Sequence, residues 1–378
     1  MKSAEMMLHY KGGGEMNFTK LLCVVTMALL TALTGAVPAH ATFRGENGRI
    51  AFQQGSPSDI YTMNSDGSDV RQLTFFGGSG GFAALGAWSP DGSQIAFTAT
   101  NSAPNGPYQL WIMNGDGGNQ HLLLNDDPSY ADYVPSFSPD GRHIVFSRCG
   151  PINCAIYRLN RDGSDLKAIT PFNSDRDIID WFPAYSPDDT TIAFTSYWRD
   201  GLIEAVYLMT ADGLDIHSFT PPALGGYTPD WSPDGNGIAF ATNDSNDPTG
   251  CNCWVLSGEI WTIDTDDRET IRLTFNNRHW NGINSVPHDF LPSWSPQGDA
   301  IVFERAAPDF SNSAIYVMNP DGSNQRLIMQ LSSSTHRAVP RPERSFGQAK
   351  GPRRDMLHEI EQGGSSPRWG AAPQGHAH

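Results

Sequence analysis

Three aspartates stand at one offset from a recurring serine. Asp132, Asp180 and Asp289 lie six residues before Ser138, Ser186 and Ser295, and each precedes an aromatic residue, Tyr133, Trp181 or Phe290. Carboxylates spaced by a repeat and gathered at one place would bind a hard cation such as Ca2+, or a basic group of a partner. The competing reading is structural. Each carboxylate accepts backbone N–H groups and fixes its connector, while the aromatic packs between repeats. That is the commoner role for such residues. Two repeats break the pattern, with Ala83 before Ser89 and Gly226-Tyr227 before Ser232.

Other chemistry-bearing residues fall between the repeats. Tyr108, Tyr130, Trp198, Trp254 and Trp280 offer rings on which a sugar or peptide would stack; local packing beneath long loops is an equal alternative. His279 and His288 share one connector near Asp289. Gly77-Gly78-Ser79-Gly80-Gly81 has the spacing of a nucleophile elbow, but it opens no helix and reads as a flexible connector. Cys149 and Cys154 flank a short loop that a disulfide closes easily, whereas Cys251 and Cys253 are too close for an unstrained bridge. A metal site made from all four has no common zinc spacing.

The elements that position these residues are repeats. An aromatic followed by Ser-Pro-Asp-Gly or a variant occurs at 88–92, 137–141, 185–189, 231–235 and 294–298. An apolar triplet follows each: Ile-Ala-Phe at 95–97, 192–194 and 238–240, and Ile-Val-Phe at 144–146 and 301–303. A second apolar run comes next, as in Ile156-Tyr157-Arg158-Leu159-Asn160, then usually an Asp-Gly turn and a short run such as 71–74, Arg-Gln-Leu-Thr. A sixth copy stands first, with Ile-Ala-Phe at 50–52 but no Ser-Pro-Asp-Gly ahead of it. Ser-Pro-Asp-Gly suits a type I turn, with φ preset by proline. Alternating triplets read as strands and Asp-Gly as a hairpin turn. Four strands per repeat, six times, predict an all-β fold: a six-bladed β-propeller of four-stranded antiparallel blades over residues 42–331.

With strands A to D running outward from the channel, chain direction puts every A–B and C–D turn on one face. The B–C loops and D–A connectors then share the other face, where recognition usually resides. Both cysteine pairs fall in B–C loops. Tyr133, Trp181, Tyr227, Trp254, Trp280 and Phe290 are the candidate partner-binding aromatics of that face, and Asp132, Asp180 and Asp289 the candidate cation site at the channel mouth.

These modules resemble the WD-repeat-like units of the TolB family of six-bladed propellers, over about residues 48–328. Similar modules occur in the propeller domains of prolyl oligopeptidase relatives and in oligogalacturonate lyases. The resemblance implies the fold and leaves the function open. The α/β domain that precedes the TolB propeller has no counterpart in the short segment between Ala41 and the first repeat. Oligogalacturonate lyases use histidine and a divalent metal, which makes His279 and His288 candidates for such a site, but their catalytic residues find no one-to-one match here.

Residues 17–41 read as an export leader: Lys20, an apolar run from Leu21 to Val37, and Ala39-His40-Ala41 as the cleavage site. Met16 is an alternative start, which makes 1–15 an over-extension. Cys23 lacks the small residues of a lipobox. No other stretch is apolar enough to span a bilayer. The chain is therefore expected in the periplasm or outside the cell, where disulfides persist. The whole chain has a formal net charge of −16, and the body between the leader and the tail is more acidic still. Such a body repels phosphate backbones, which excludes nucleic acid and favours cations or basic protein surfaces. Residues 332–378, rich in proline, glycine and arginine, read as a disordered tail. Thr42-Phe43-Arg44 is preferred to the chain after Leu331 as the missing inner strand of the first copy.

The expected function is a monomeric, non-catalytic scaffold that binds an envelope protein or peptide, with carbohydrate as a further ligand class. The alternative is a metal-dependent polysaccharide lyase or carbohydrate-binding propeller. A structural role within a larger assembly is a third reading.

Overall fold

The computed structural model describes residues 47–100, 107–125, 127–150, 153–171, 178–202, 204–243, 258–276, 287–308 and 311–331. Residues 1–41, read from sequence as a leader, residues 332–378, read as a tail, and Cys251, Cys253, Trp254, His279 and Trp280 lie outside these residues. The first repeat holds β1 (Ile50–Gly55), β2 (Ser58–Met63) and β3 (Arg71–Gln72). The second holds β4 (Phe82–Trp88), β5 (Gln94–Thr100), β6 (Gln109–Asn114) and β7 (His121–Leu122). The third holds β8 (Ala131–Phe137), β9 (His143–Cys149), β10 (Cys154–Asn160) and β11 (Lys167–Ala168). The fourth holds β12 (Ile179–Tyr185), β13 (Thr191–Tyr197), β14 (Glu204–Thr210) and β15 (His217–Ser218). The fifth holds β16 (Tyr227–Trp231), β17 (Gly237–Asn243), β18 (Gly258–Asp264) and β19 (Thr270–Arg272). The sixth holds β20 (His288–Trp294), β21 (Ile301–Ala306), β22 (Ser313–Met318) and β23 (Arg326–Gln330).

Every repeat is an antiparallel meander in chain order, and together they form an all-β propeller fold. Hydrogen bonding gathers the strands into five sheets: one three-stranded, three four-stranded and one of eight strands. The last arises because one parallel bridge, Cys154 to Ile179, joins the third and fourth meanders. Among the described residues, no helix is long and apolar enough to cross a membrane.

The apolar triplets form the core. Phe52, Phe97, Phe146, Phe194, Phe240 and Phe303 are fully buried. Each contributes about 1.5–3 kcal/mol of transfer free energy. They pack between meanders as well as within them. Phe146 lies in one apolar cluster with Ala87 and Ala96 of the second repeat, and Phe240 in another with Ala184 and Val206 of the fourth. Phe52 and Met63 of the first repeat pack with Val302 and Ile315 of the sixth.

The turn motifs act as their chemistry predicts. Gly92, Gly141 and Gly235 donate N–H groups to Ser89, Ser138 and Ser232 carbonyls at 2.8–2.9 Å, closing i to i+3 turns. The motif serine hydroxyl donates to the aspartate two residues on, as in Ser89 to Asp91 at 2.6 Å. That hydroxyl oxygen also accepts the amide that opens the second strand, as from Gln94 at 2.9 Å. The sixth repeat has Gln297 in place of the aspartate, and Asp299 takes over as acceptor from Ser295. In four repeats the threonine that ends the outer run accepts the amide of a third-strand residue: Thr74 from Ile60, Thr170 from Ile156, Thr220 from Val206 and Thr274 from Ile260.

The C–D turn glycines set the spacing between meanders. Gly213 has φ +87°, and a Cβ there would lie 2.1 Å from the Ile169 carbonyl of the preceding repeat. Gly163 meets Leu123 in the same way, and Gly67 of the first repeat meets Ile328 of the sixth. Gly92 also has a positive φ but faces open space.

Two outcomes are expected. Gly92→Ala should cost about 1–3 kcal/mol from left-handed strain; Gly213→Ala should cost measurably more in urea denaturation, because it also pushes two repeats apart. Hydrogen bonds from Ser89 and Ser93 hold Asp91 well below the usual carboxylate range, and those from Ser295 and Asn47 hold Asp299 low. Their stabilisation is complete above the unfolded carboxylate pKa of about 4 and is lost as pH falls further. Thermal melts should therefore decline below about pH 4, and Ser89→Ala should lessen that decline.

Candidate functional site

The tight turns share one face. Gly115 in a C–D turn donates to the Ser93 carbonyl in the A–B turn of its own repeat at 2.8 Å. Ala211 does so to Thr190 at 2.9 Å, and Thr265 to Asn236 at 3.0 Å. The loops meet at the other end of the strands. Asp132, entering β8, donates its N–H to the Tyr108 carbonyl just before β6 at 2.9 Å. The disulfide Cys149–Cys154 closes the B–C loop of the third repeat there, with Cα atoms 4.0 Å apart.

The three aspartates lie at the loop ends of β8, β12 and β20, and each is buried. Their partners are arginines. Asp132 pairs in register with Arg148 on β9, which donates from Nε at 2.7 Å and from Nη2 at 2.9 Å. Asp289 pairs in the same way with Arg305 on β21, at 2.6 and 2.7 Å. Asp180 faces Ser196 across the register, accepts its hydroxyl at 2.6 Å, and takes Arg199 from a short 3-10 turn at 2.7 Å. Bidentate pairs of this kind are strong because both charges are hydrogen-bonded as well as neutralised. The guanidinium groups also lie over aromatic rings: Arg148 over Tyr157 at 5.3 Å and Arg305 over Tyr316 at 4.7 Å.

The fifth repeat, which lacks an aspartate at this offset, places Glu259 on β18 in the same layer and pairs it with Arg272. Burial pushes the Glu259 carboxyl up, opposed by Arg272. In the first repeat the acidic residue of the layer is Asp59 on β2. It accepts Thr74 Oγ1 at 2.9 Å and the Phe76 amide at 2.7 Å, and burial raises its pKa against these bonds. Asp230, on β16, instead links repeats by accepting the Trp294 amide at 2.8 Å.

Sequence reasoning did not anticipate these arginines. A signal was present: Asp132 and Arg148, and likewise Asp289 and Arg305, are sixteen residues apart. Arg199 has no such regularity, because it sits on an irregular turn. Among the described residues, no group of three or more His, Cys, Asp or Glu side chains is arranged to hold a metal ion.

A second missed feature shapes the innermost strands. Val134, Phe182, Thr228 and Leu291 have φ of 48–54°, and each precedes a proline: Pro135, Pro183, Pro229 or Pro292. The ladder slips at these points, as between Tyr133 and Ser136. A left-handed branched residue before proline is costly, and a bulge is where a strand tolerates one. The prolines suit the innermost strand, whose second edge faces the channel and needs no N–H donor.

The aromatics form a run across three repeats. Phe82 meets Tyr108 at 5.7 Å, Tyr108 meets Tyr133 at 5.2 Å, and Tyr133 meets Trp181 at 4.9 Å. Tyr108 and Tyr133 are half-buried, whereas Trp181, Tyr227 and Phe290 are buried in the main core cluster. Burial raises the Tyr133 and Tyr227 hydroxyl pKa values, so both rings stay neutral. Trp198 and Tyr130 are half-buried. His288 is buried, its Nε2 is 3.3 Å from the Pro308 carbonyl, and burial lowers its pKa.

The buried pairs are testable. Arg148→Ala strands a buried carboxylate and should cost about 3–5 kcal/mol. The double variant Asp132→Leu/Arg148→Met should recover most of that loss. Urea denaturation of the single and double variants gives the coupling.

Residues 127–340 match the family model for the TolB beta propeller domain. An uncharacterized protein of Agrobacterium fabrum is 32% identical over 198 residues, covering 48% of this chain and 61% of that protein. The chain thus spans less than two thirds of that relative's length. Among solved structures, TolB from Acinetobacter baumannii superposes with a TM-score of 0.57 at 20% identity, over 81% of this chain and 67% of that one. An oligogalacturonate lyase in complex with manganese superposes with a TM-score of 0.50 at 16% identity, over 78% of each chain. At these identities the two structures are alike in fold. The family match takes in more than half of the sequence, and the chain belongs to the TolB beta-propeller domain family.

Proposed function

We propose that the protein is an exported, non-catalytic propeller of six blades that binds a protein or peptide in the cell envelope through the face carrying its B–C and D–A loops. The six-blade count treats the eight-stranded sheet as two blades joined at the Cys154–Ile179 bridge. It is supported by the packing of the first repeat on the sixth through Phe52, Val302 and Ile315. The periplasm or cell exterior, and a monomeric state, belong to the same proposal.

The observation that carries the reading is the aromatic run on the loop side. Phe82, Tyr108 and Tyr133 are half-buried rings on rigid strand ends, braced by Trp181 and the Asp132–Arg148 pair. Aromatics held this way lose little conformational freedom on binding, which suits peptide recognition. The acidic body favours a basic partner.

A second reading, a metal-dependent polysaccharide lyase or a carbohydrate-binding propeller, draws on the same rings and on His288 beside Asp289. A Ca2+ at Asp132, Asp180 and Asp289 would have to displace three guanidinium groups.

The test is site-specific photo-crosslinking in cells, with a photoreactive residue at Tyr108 and, as control, at Asp116 on the turn face. Adducts from position 108 that disappear with Tyr133→Ala are expected. Adducts from position 116 alone would move recognition to the turn face. Incubation with polygalacturonate and Ca2+ or Mn2+ should yield no unsaturated product, and chelator should leave the melting temperature unchanged. Unsaturated product together with a chelator-sensitive melt would favour the lyase.

A further inference from the structure

The disulfide Cys149–Cys154 stands where four strand ends meet. Its two cysteines face each other as the last cross-strand pair of β9 and β10. On the other edge of β9, Cys149 faces Ala131, which opens β8. On the other edge of β10, Cys154 bridges Ile179, which opens β12. Among the described residues, no other pair of repeats is joined into one sheet. We propose that this disulfide is a thiol-exchange site, at which reduction by a dithiol loosens the aromatic run of the loop side and releases its hold on a partner. The consequence for the partner rests on the recognition reading above.

The bond reaches the run from both sides. Tyr133 is two residues after Ala131, and Trp181 is two residues after Ile179. At these rings the run passes from the third repeat to the fourth, with centroids 4.9 Å apart. Cys154, Ile179 and Trp181 lie in one buried cluster, and Cys149 and Tyr133 pack against it. The residue before Cys149 is Arg148, which holds the carboxylate of Asp132, the neighbour of Tyr133. The residue after Ile179 is Asp180, which takes Arg199. One covalent bond thus ties together the strand ends that carry two buried ion pairs and two rings of the run.

The same bond does little for the hairpin itself. Strands β9 and β10 pair over seven residues, from His143 opposite Asn160 to Cys149 opposite Cys154. Beyond the cysteines Gly150 donates its N–H to the Asn153 carbonyl at 3.0 Å, so the backbone closes the hairpin. The cysteines are five residues apart. A disulfide across so short a loop removes less chain entropy from the unfolded state than one across a long loop. Reduction therefore leaves the repeat folded and acts on the end of the ladder, where local opening is easiest.

The chemistry needs one reaction partner, a dithiol. Cys149 is half-buried and Cys154 buried, so the Cys149 sulfur is the one open to attack. A thiolate of the dithiol attacks Cys149 Sγ, the protein S–S bond breaks, and Cys154 leaves as a thiolate that takes a proton. The second thiolate of the dithiol then displaces Cys149 and closes the reagent's own disulfide, and Cys149 is protonated. The dithiol is oxidised by two electrons, and the protein ends with two thiols. A disulfide oxidant reverses the sequence. In the oxidising compartment proposed for this chain, the bonded form is the resting state.

Hydrogen–deuterium exchange on the full chain, oxidised and after dithiothreitol, tests the site. Reduction is expected to speed exchange of the 131–133 and 179–181 amides at least about tenfold and to leave the amides of β17 and β21 unchanged. Cys149→Ser/Cys154→Ser should show the same pattern without reagent and no further change with it, which separates this bond from any effect at Cys251 and Cys253. Unchanged exchange at both segments would overturn the proposal. Acceleration throughout the propeller would overturn it too, because it marks a bond that holds the whole fold. So would reduction of Cys149–Cys154 only at the rate of global unfolding, read by timed alkylation and mass spectrometry. In the photo-crosslinking assay, adducts from position 108 are expected to be lost in the double serine variant, and adducts of undiminished yield overturn the proposal. No adduct from position 108 in either form refutes the recognition reading alone, and the thiol-exchange site then stands or falls by the amide exchange.

Discussion

The fold depends on the burial of both faces of every sheet by its neighbours. A four-stranded meander with Phe146 on one strand and Ile156 on the next is apolar on both sides, and alone it would aggregate. Packed in series, the third repeat gives Phe146 to the second and Val145 with Ile156 to the fourth. That alternation explains the form of the triplet: its middle residue faces one neighbour and its outer residues the other. It also explains the C–D glycines. Two sheets can approach closely enough to bury small and large residues together only if the turn between them carries no Cβ, as at Gly163 and Gly213.

Tight packing then dictates the electrostatics at the loop end. Aspartates entering the inner strands are carried into a region that excludes water, where an unpaired carboxylate costs several kcal/mol. The chain answers with an arginine two residues beyond the buried phenylalanine, whose guanidinium both lies over the aromatics and meets the carboxylate. A layer that reads in sequence as a ring of acids is in the folded chain close to neutral. What it supplies is rigidity beneath Tyr108 and Tyr133.

Much of this was legible before the structure. The repeat gave the strands, the turns and the division of the two faces, because Ser-Pro-Asp-Gly and Asp-Gly have one dominant backbone solution each. The Cys149–Cys154 pair was legible for the same reason, being local. What escaped was non-local. Arg148 looked like any strand residue until its register with Asp132 was known, and Arg199 reaches Asp180 only through an irregular turn. Tyr227 and Phe290, read as surface candidates from their place in connectors, are drawn into the core by the bulges at Thr228 and Leu291. The prolines at those bulges were in plain view, but proline in a central strand ordinarily argues against a strand, and only an inner edge facing a channel removes that objection.

The distribution of carboxylates separates the two ends of the molecule further. At the turn side, Asp66, Asp91, Asp116, Asp162, Asp234 and Asp321 recur because the turn motifs require them, and hydrogen bonds from neighbouring serines hold several of them ionised. That face therefore acquires its acidity as a by-product of turn chemistry, repeated around the molecule. At the loop side, by contrast, the acids are buried, Asp132, Asp180, Glu259 and Asp289 are matched by arginines, and the sequence varies from repeat to repeat. A face whose charge follows from the repeat can attract a basic partner over distance but cannot easily distinguish one from another. On the proposed reading, discrimination comes from residues free to differ between repeats, such as those beside the aromatic run from Phe82 to Trp181.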